Sequence, residues 1–431
     1  MAARDVRPAT RTAVLDDAAA LAAPIPSFAL ARLPRIVFGA GRRAEIPALV
    51  ASVGRRALLV TGARSLQATP VWAEVTSGLD AAGIAWDHLG VDREPSPELI
   101  DGAVSTRRSD PPDVVVGIGG GSALDAAKAI AGLLRSGTVA LDHLEGIGRG
   151  IPYPGPATPF IAVPTTAGTG SEATRNAVLS SPGGTPDGKA TGPFKKSFRD
   201  DRLVAAVAVV DPDLLIGCPP PVIAGDGMDA LTQCLEAYVS AGGSPYTDAI
   251  AWSGLAAIRW ALPGWYAAVQ AERPASGTAG VRSAMAWGAL ASGIALANAG
   301  LGAVHGMIPA LGVRHGIQHG TGCGILLTAA TRVNVAALRS RDPEGSALHD
   351  YADVGRLLVG DHGLGRDDAA DALVEWLADL ADALGLPRLG EAGVRAADIP
   401  ILVAESRGSS MRTNPVTLSD EEIATILTDS L

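Results

Sequence analysis

Cysteine is scarce in this chain: Cys218, Cys234 and Cys323 are the only three among 431 residues, and no two of them form a CxxC pair. Three scattered thiols exclude a disulfide framework and point to a reducing, cytoplasmic setting. Positive charge is in deficit too. With 35 Lys and Arg against 45 Asp and Glu, the formal net charge is -10, which excludes a broad electrostatic footprint for nucleic acid. The N-terminal MAARDVRPATRTAVLDDAAALAAPIPS lacks a clean apolar core, because Asp16 and Asp17 interrupt it. Residues 1–27 therefore read as a disordered or loosely packed tail rather than a signal peptide, a transit peptide being the other reading. From Ser283 to Val313 there is no Asp, Glu, Lys or Arg at all, a run long enough to span a bilayer. It is mostly alanine and glycine, with Asn298, His305 and Pro309 and few large aliphatics. A helix buried in a helical domain is expected there, and no membrane partner.

Hydrophobic residues make up 47% and charged residues 19%, as in a globular chain long enough for about two domains. In the first half, short apolar runs end in glycine or proline and are followed by helical patterns: RIVFGAG, RALLVTG, DVVVGIGGGS, PFIAVPTTAGTGS and VAAVAVVDP. Buried strands separated by helices predict a parallel α/β sheet. After VDPDLLIGCPPP the pattern turns almost wholly helical, which places a boundary near residue 216 and gives an α/β domain over 28–215 and an all-α domain over 216–431. Near the C-terminus, Ser419 and Glu422 form a capping box that opens a last helix.

Two loops in the α/β half carry ligand signals. In VVVGIGGGSALDAAK a buried strand runs into Gly117, Gly119, Gly120 and Gly121, and a helix begins near Ser122. Glycines let the backbone approach an anion, and a helix N-terminus offers unpaired N–H groups, so a pyrophosphate is the natural guest. Without a ligand the same stretch is a tight strand-to-helix turn, and it departs from GxGxxG by ending in serine. The second loop, PTTAGTGSEA, sets Thr165, Thr166, Thr169 and Ser171 at a strand end, where ligands of α/β sheets collect.

In the helical half, GDGMDALTQCLEAYV spaces Asp229 and Gln233 four residues apart, on one face of a helix with small or apolar neighbours. Three of the seven histidines, His305, His315 and His319, fall within fifteen residues or so of one another farther along. With Asp229 they suit zinc or ferrous iron, or else they are ordinary core and surface residues; HExxH spacing is absent. Asp226 falls at i, i+3 and i+7 with Asp229 and Gln233, and reads either as a further group at that site or, preferably, as the helix N-cap.

GGGSALDAAK, PTTAGTGSE, GMDALTQCLEAYVS, GLGAVHGMIPALGVRHGIQHG and TNP at 413–415, in this order, resemble the iron-containing (group III) alcohol dehydrogenase family from about residue 28 onward. The resemblance implies a Rossmann-like N-terminal domain that binds NAD or NADP, a helical domain that holds a divalent metal (Fe2+ or Zn2+), and an alcohol or aldehyde substrate in the cleft between them. It implies that Gly120, Gly121 and Ser122 hold the pyrophosphate, with Asp125, Thr165, Thr166, Thr169 and Ser171 close to the cofactor, and Ser96 and Lys195 contacting the nucleotide. The metal positions fall on Asp229, Gln233, His305 and His319. Members of such a family are expected to be homodimers or higher homo-oligomers.

Three departures from the family pattern bear on this. Glutamine stands at 233 in place of histidine and is a weaker, neutral ligand. Pro309 stands where many members carry a further histidine, so proton exit falls to ribose hydroxyls, a water or His315. Gly62 replaces a strand-end acid that favours NAD, and with Arg64 and Ser65 nearby a 2′-phosphate fits too. The expected activity is reversible hydride transfer between an alcohol and its aldehyde or ketone, assisted by the metal. Alternatives are a metal-independent reductase resembling maleylacetate reductases, a lyase resembling dehydroquinate synthases, or a relative that binds nucleotide without turnover. The lyase wants several Lys and Arg around the metal, which these segments lack apart from Arg314.

Overall fold

The computed structural model describes residues 25, 27–183 and 192–431. The chain divides into Met1–Leu30, whose described residues form neither helix nor strand, and a compact unit from Ala31 to Leu431. Apart from Ile25 and Ser27, the tail expected over 1–27 lies outside the described residues.

Six strands form one parallel sheet: β1 (Arg35–Phe38), β2 (Arg56–Gly62), β3 (Ala85–Val91), β4 (Val114–Gly119), β5 (Phe160–Pro164) and β8 (Val207–Val210). The spatial order is β1-β8-β5-β4-β2-β3. Helices α1 (Ile46–Ala51), α2 (Pro70–Ala81), α3 (Pro97–Ser105) and α4 (Gly121–Leu133) alternate with the first strands. The Rossmann-like α/β sheet expected from the apolar runs is present, and each of the five runs supplies one of its strands. β3 was not legible: AWDHLGV is an edge strand with only one of its seven residues buried, so it lacks the apolar run that marks a strand buried on both faces. A separate antiparallel ribbon, β6 (Asn176–Ser181) with β7 (Phe194–Arg199), was also unforeseen.

The rest is helical: α5 (Pro220–Tyr238), α6 (Pro245–Gln270), α7 (Ala279–Ala299), α8 (Ala303–His315), α9 (His319–Arg341), α10 (Ser346–Val359), α11 (Arg366–Ala383), α12 (Ile399–Glu405) and α13 (Asp420–Asp429). The last opens with the expected capping box, Glu422 N–H to Ser419 Oγ at 3.2 Å and Ser419 N–H to Glu422 Oε2 at 2.8 Å. The uncharged run forms two helices, not one. Its axis turns by 103° between α7 and α8, at Gly300, whose φ of +75° lies where L side chains rarely go. The TNP segment seats this break. Thr413 Oγ1 donates to Leu301 O at 2.5 Å, and Asn414 Oδ1 accepts from the first amide of α8, Ala303, at 3.0 Å. By length and composition α9 could cross a membrane, but most of it is buried inside the protein.

Candidate active site

Helix α5 supplies the centre of the site. Asp229, Gln233 and Glu236 stand at i, i+4 and i+7 and share one buried face. Asp226, by contrast, is not the N-cap. Pro219 holds that position, and Asp226 lies in the helix interior, hydrogen-bonded to Thr166. Prolines at the start of α5 preset its first turn, so no polar cap is required.

Three further side chains meet Asp229. His305 comes from the first turn of α8, His319 opens α9, and Cys323 follows one turn later on α9. His305 Nε2 lies 3.3 Å from Asp229 Oδ1, and His319 Nε2 lies 3.6 Å from it. Cys323 Sγ is 3.6 Å from the same oxygen and 3.7 Å from His305 Nε2. Backbone contact without side chains makes the approach possible. A Cβ added at Gly320 would lie 2.3 Å from Gly225 O, so the two glycines let the start of α9 rest on α5 one turn before Asp229.

The carbon framework is backed by hydrogen bonds. His305 Nδ1–H donates to Glu236 Oε2 at 2.7 Å, and Glu236 Oε1 accepts Val304 N–H at 2.7 Å. The carboxylate thereby fixes the ring and its tautomer and turns Nε2 toward Asp229, the arrangement that orients metal-binding histidines. Burial alone would raise the Asp229 pKa, but His319, His305 and the Gln233 amide hold it at about 2. Burial, with Lys195 and His305 nearby, lowers His319 to about 4 against the pull of Asp229, leaving it neutral at neutral pH. His319 Nδ1 is buried and has no hydrogen-bond partner among the described residues.

Gln233 faces the cluster with its amide. An ionised carboxylate only accepts, so the NH2 of Gln233 must be the group 2.9 Å from Asp229 Oδ1. Its Oε1 then accepts from the Ser292 hydroxyl of α7 at 3.0 Å. The glutamine oxygen, the one atom by which it could ligate a cation, is thus turned to Ser292. His315 is a correction. It closes α8 ten residues after His305, about 15 Å along the axis, and so stands apart from the cluster at the first turn of that helix. Pro309 occupies the interior of α8 one turn after His305.

Most of the residues expected at the cofactor lie at or just beyond the carboxyl ends of three adjacent strands. Gly62 ends β2, Gly120 caps α4 after β4, with Gly121 and Ser122 in the first turn, and Thr165 follows β5 with its amide on Gly119 O at 3.0 Å. A Cβ at Gly121 would lie 2.8 Å from Thr169 Cγ2, so the glycine turn and the hydroxyl loop are packed together. Asp125 accepts from Ser171 Oγ at 2.6 Å and from Val178 N–H at 3.1 Å. Buried Lys128 donates to Ser171 O, Ser171 Oγ, Thr174 Oγ1 and Asn176 O at 2.7–3.0 Å. Asp125 and Lys128 therefore brace the loop from behind. Ser96 caps α3, accepting from Leu99 N–H at 3.3 Å, and Lys195 on β7 pairs with Glu94. The loop then reaches the helical half: a Cβ at Gly168 would lie 2.6 Å from Asp226 Cβ, and one at Gly293 only 2.2 Å from Gly170 O. The glycine turn and the acid–imidazole cluster are joined through this loop.

Two family profiles cover this architecture, "Iron-containing alcohol dehydrogenase" over residues 34–212 and "Fe-containing alcohol dehydrogenase family, C-terminal" over 223–431. The chain belongs to this family. Lactaldehyde reductase of Escherichia coli (strain K12) is 34% identical over 370 residues, spanning 84% of this chain and 88% of that protein. The crystal structure of a 1,3-propanediol oxidoreductase matches with a TM-score of 0.83 at 29% identity, covering 94% of this chain and 100% of the other. Sulfoacetaldehyde reductase from Bifidobacterium kashiwanohense in complex with NAD+ matches with a TM-score of 0.78 at 27% identity, covering 94% and 99%. As a member of the iron-containing alcohol dehydrogenases, the chain is an NAD-dependent oxidoreductase acting on alcohols. Glu236 and Cys323 were missed in the sequence, although each carried a signal: Glu236 is seven residues from Asp229, and Cys323 four from His319.

Proposed function

We propose that this enzyme interconverts a small alcohol and its aldehyde in the cleft between the α/β half, taken as 28–215, and the helical half, 216–431. The carrying observation is the convergence of Asp229 Oδ1, His305 Nε2 and His319 Nε2 at a helix, α5, whose Asp226 touches Thr166 and Gly168 of the loop that bears Thr165, Thr166, Thr169 and Ser171. One carboxylate oxygen and two imidazole nitrogens brought together with a thiol, all within 4.8 Å of one another, fit a divalent cation, ferrous iron or zinc, better than a closed polar core. Such a cation supplies Lewis acidity to a carbonyl oxygen, and a bound nicotinamide gives or takes the hydride.

The chain's own residues provide the rest. Gly120, Gly121 and Ser122 offer the N-terminus of α4 to a pyrophosphate. Ser96, Lys195 and Gly62 border the same strand ends, and exposed Arg64 and Ser65 leave space for a 2′-phosphate, so NADP is accepted beside NAD. At neutral pH Asp229 is ionised and His319 is a neutral imidazole, so each offers a lone pair to a cation. Gln233 orients Asp229, and with His315 at the far end of α8 the proton leaves by water. We place the enzyme in the cytoplasm as a homodimer or higher homo-oligomer. The relatives' substrates, lactaldehyde and a propanediol, suggest short hydroxylated aldehydes and diols.

One observation favours a metal-independent second reading: Asp229 already accepts from Gln233 and faces His305, so its charge is answered by protein groups. Removing bound metal with a chelator, restoring zinc or ferrous iron, and following nicotinamide absorbance with a panel of short alcohols and aldehydes separates the two. Activity restored by one cation is expected. Full activity in the chelated protein, unchanged by any cation, refutes the metal-assisted reading.

A further inference from the structure

We propose that Cys323 is a metal ligand, binding as a thiolate in the place that Gln233 leaves open and making the site select a thiophilic, zinc-class cation. The inference rests on the reading that Asp229, His305 and His319 hold a divalent metal, and it extends that set by a residue of different chemistry.

The distances carry it. Bonds of about 2.0–2.1 Å from zinc to oxygen and nitrogen, at tetrahedral angles, set those atoms about 3.3 Å apart. A bond of about 2.3 Å to sulfur sets the sulfur about 3.6 Å from each of them. Here Asp229 Oδ1 is 3.3 Å from His305 Nε2 and 3.6 Å from His319 Nε2. Cys323 Sγ is 3.6 Å from Asp229 Oδ1 and 3.7 Å from His305 Nε2. The four donor atoms all lie within 4.8 Å of one another. These spacings match four of the six edges of a tetrahedron sized for zinc, and the other two, from His319 to His305 and to Cys323, are within 4.8 Å. A magnesium or manganese site wants an octahedron of oxygens, for which a thiol is a poor member.

The neighbours agree. The oxygen of Gln233 is turned away to Ser292, and its amide donates to Asp229 instead of offering a ligand atom. Cys323 is fully buried, so its sulfur faces the cluster and not solvent. The other two thiols point elsewhere, Cys234 Sγ toward Gly288 O at 3.9 Å and Cys218 Sγ toward Thr165 O at 3.5 Å. On binding, the S–H bond breaks and a sulfur–metal bond forms, the proton passes to solvent, and no oxidation state changes.

Cobalt substitution tests this without reference to turnover. The full-length protein, stripped by chelation and titrated with Co2+, is expected to develop a near-ultraviolet sulfur-to-cobalt charge-transfer band that saturates at one equivalent. The band persists in Cys218→Ser/Cys234→Ala, where Cys323 is the sole thiol, and disappears in Cys323→Ser. Zinc affinity of Cys323→Ser, read by competition with a chromophoric chelator, falls roughly a hundredfold, at least what loss of an outer-shell partner costs. If Cys323→Ser does not fold, the sole-thiol variant decides by the presence or absence of its band. Cobalt bound at one equivalent without the band overturns the role of Cys323 and leaves the three-ligand reading standing. No uptake of cobalt or zinc by the parent protein overturns that underlying reading, and this inference with it.

Discussion

Replacing Glu236 by glutamine isolates what its carboxylate does for His305. The side chain is buried and accepts two hydrogen bonds of 2.7 Å, from His305 Nδ1 and from Val304 N–H. Glutamine has nearly the same shape but only one accepting oxygen, so its NH2 must face one of two donors. If it faces Val304, a backbone amide at the start of α8 is left unpaired; if it faces His305, the ring flips its tautomer and Nε2 acquires the proton. Either way a charge-assisted bond worth about 1.5–3 kcal/mol is lost. That range corresponds to about 10–150-fold in an equilibrium constant, and outer-shell partners of metal-bound histidines typically account for 10–100-fold. The Glu236→Gln protein should therefore bind zinc roughly 10–100-fold more weakly, measured by competition with a chromophoric chelator on protein shown to be folded by circular dichroism. Glu236→Asp keeps the charge but withdraws it by one methylene, and should fall between the two. A folded Glu236→Gln protein with zinc affinity within about twofold of the parent, well inside the predicted loss, would refute the claim that Glu236 orients His305 for a cation.

Gln233→His places an imidazole one helical turn from Asp229 and should raise zinc affinity by about tenfold, in the same competition assay; weaker binding would show that the space is already filled. Lys128→Met strands Asp125 and removes the donor to four oxygens of the hydroxyl loop, which should destabilise the fold by about 3–5 kcal/mol in urea unfolding, and a loss below about 1 kcal/mol, the value of an exposed ion pair, would contradict the bracing role. Asp226 is raised from 3.8 to about 6, first by burial and then by the charge of Asp229, despite its bond to Thr166. A raised carboxyl favours the protonated native state, so its contribution is fully present below the unfolded value and is lost as pH rises through 6. In metal-free protein Asp226→Asn should accordingly be more stable than the parent by up to about 3 kcal/mol at pH 7 to 8 and equal to it near pH 3; a pH-independent difference in melting temperature would disprove the assignment.

Much of the molecule was legible from the chain alone, and the particular residues show why. Val114–Val116 and Phe160–Val163 are continuous apolar runs because their strands are covered on both faces, and such runs are a local signal. Gly120, Gly121, Thr165 and Thr166 could be named because the glycine turn and the hydroxyl loop each follow a strand end, and strand ends are where a parallel sheet collects ligands. Ser419 and Glu422 formed their capping box as read, since every partner lies within four residues.

Other features depend on contacts between segments far apart in the chain. β3 sits at a sheet edge and has too polar a pattern to be seen in isolation. The 103° turn in the uncharged run depends on Gly300 and on Thr413 and Asn414, more than a hundred residues away. Asp226 has the composition of a cap, yet the prolines before it start α5 two turns earlier and bring it to Thr166. Composition, periodicity and motif order determine the fold class and the family, because strands, helix starts and glycine turns are set by neighbours in sequence. Which atoms face Asp229 is decided by where α5, α7, α8 and α9 cross: Gly225 against Gly320 brings His319 and Cys323 in, Glu236 turns His305 toward the cluster, and Ser292 turns the oxygen of Gln233 away. Those are choices among side chains already on the right face, and only packing in three dimensions makes them.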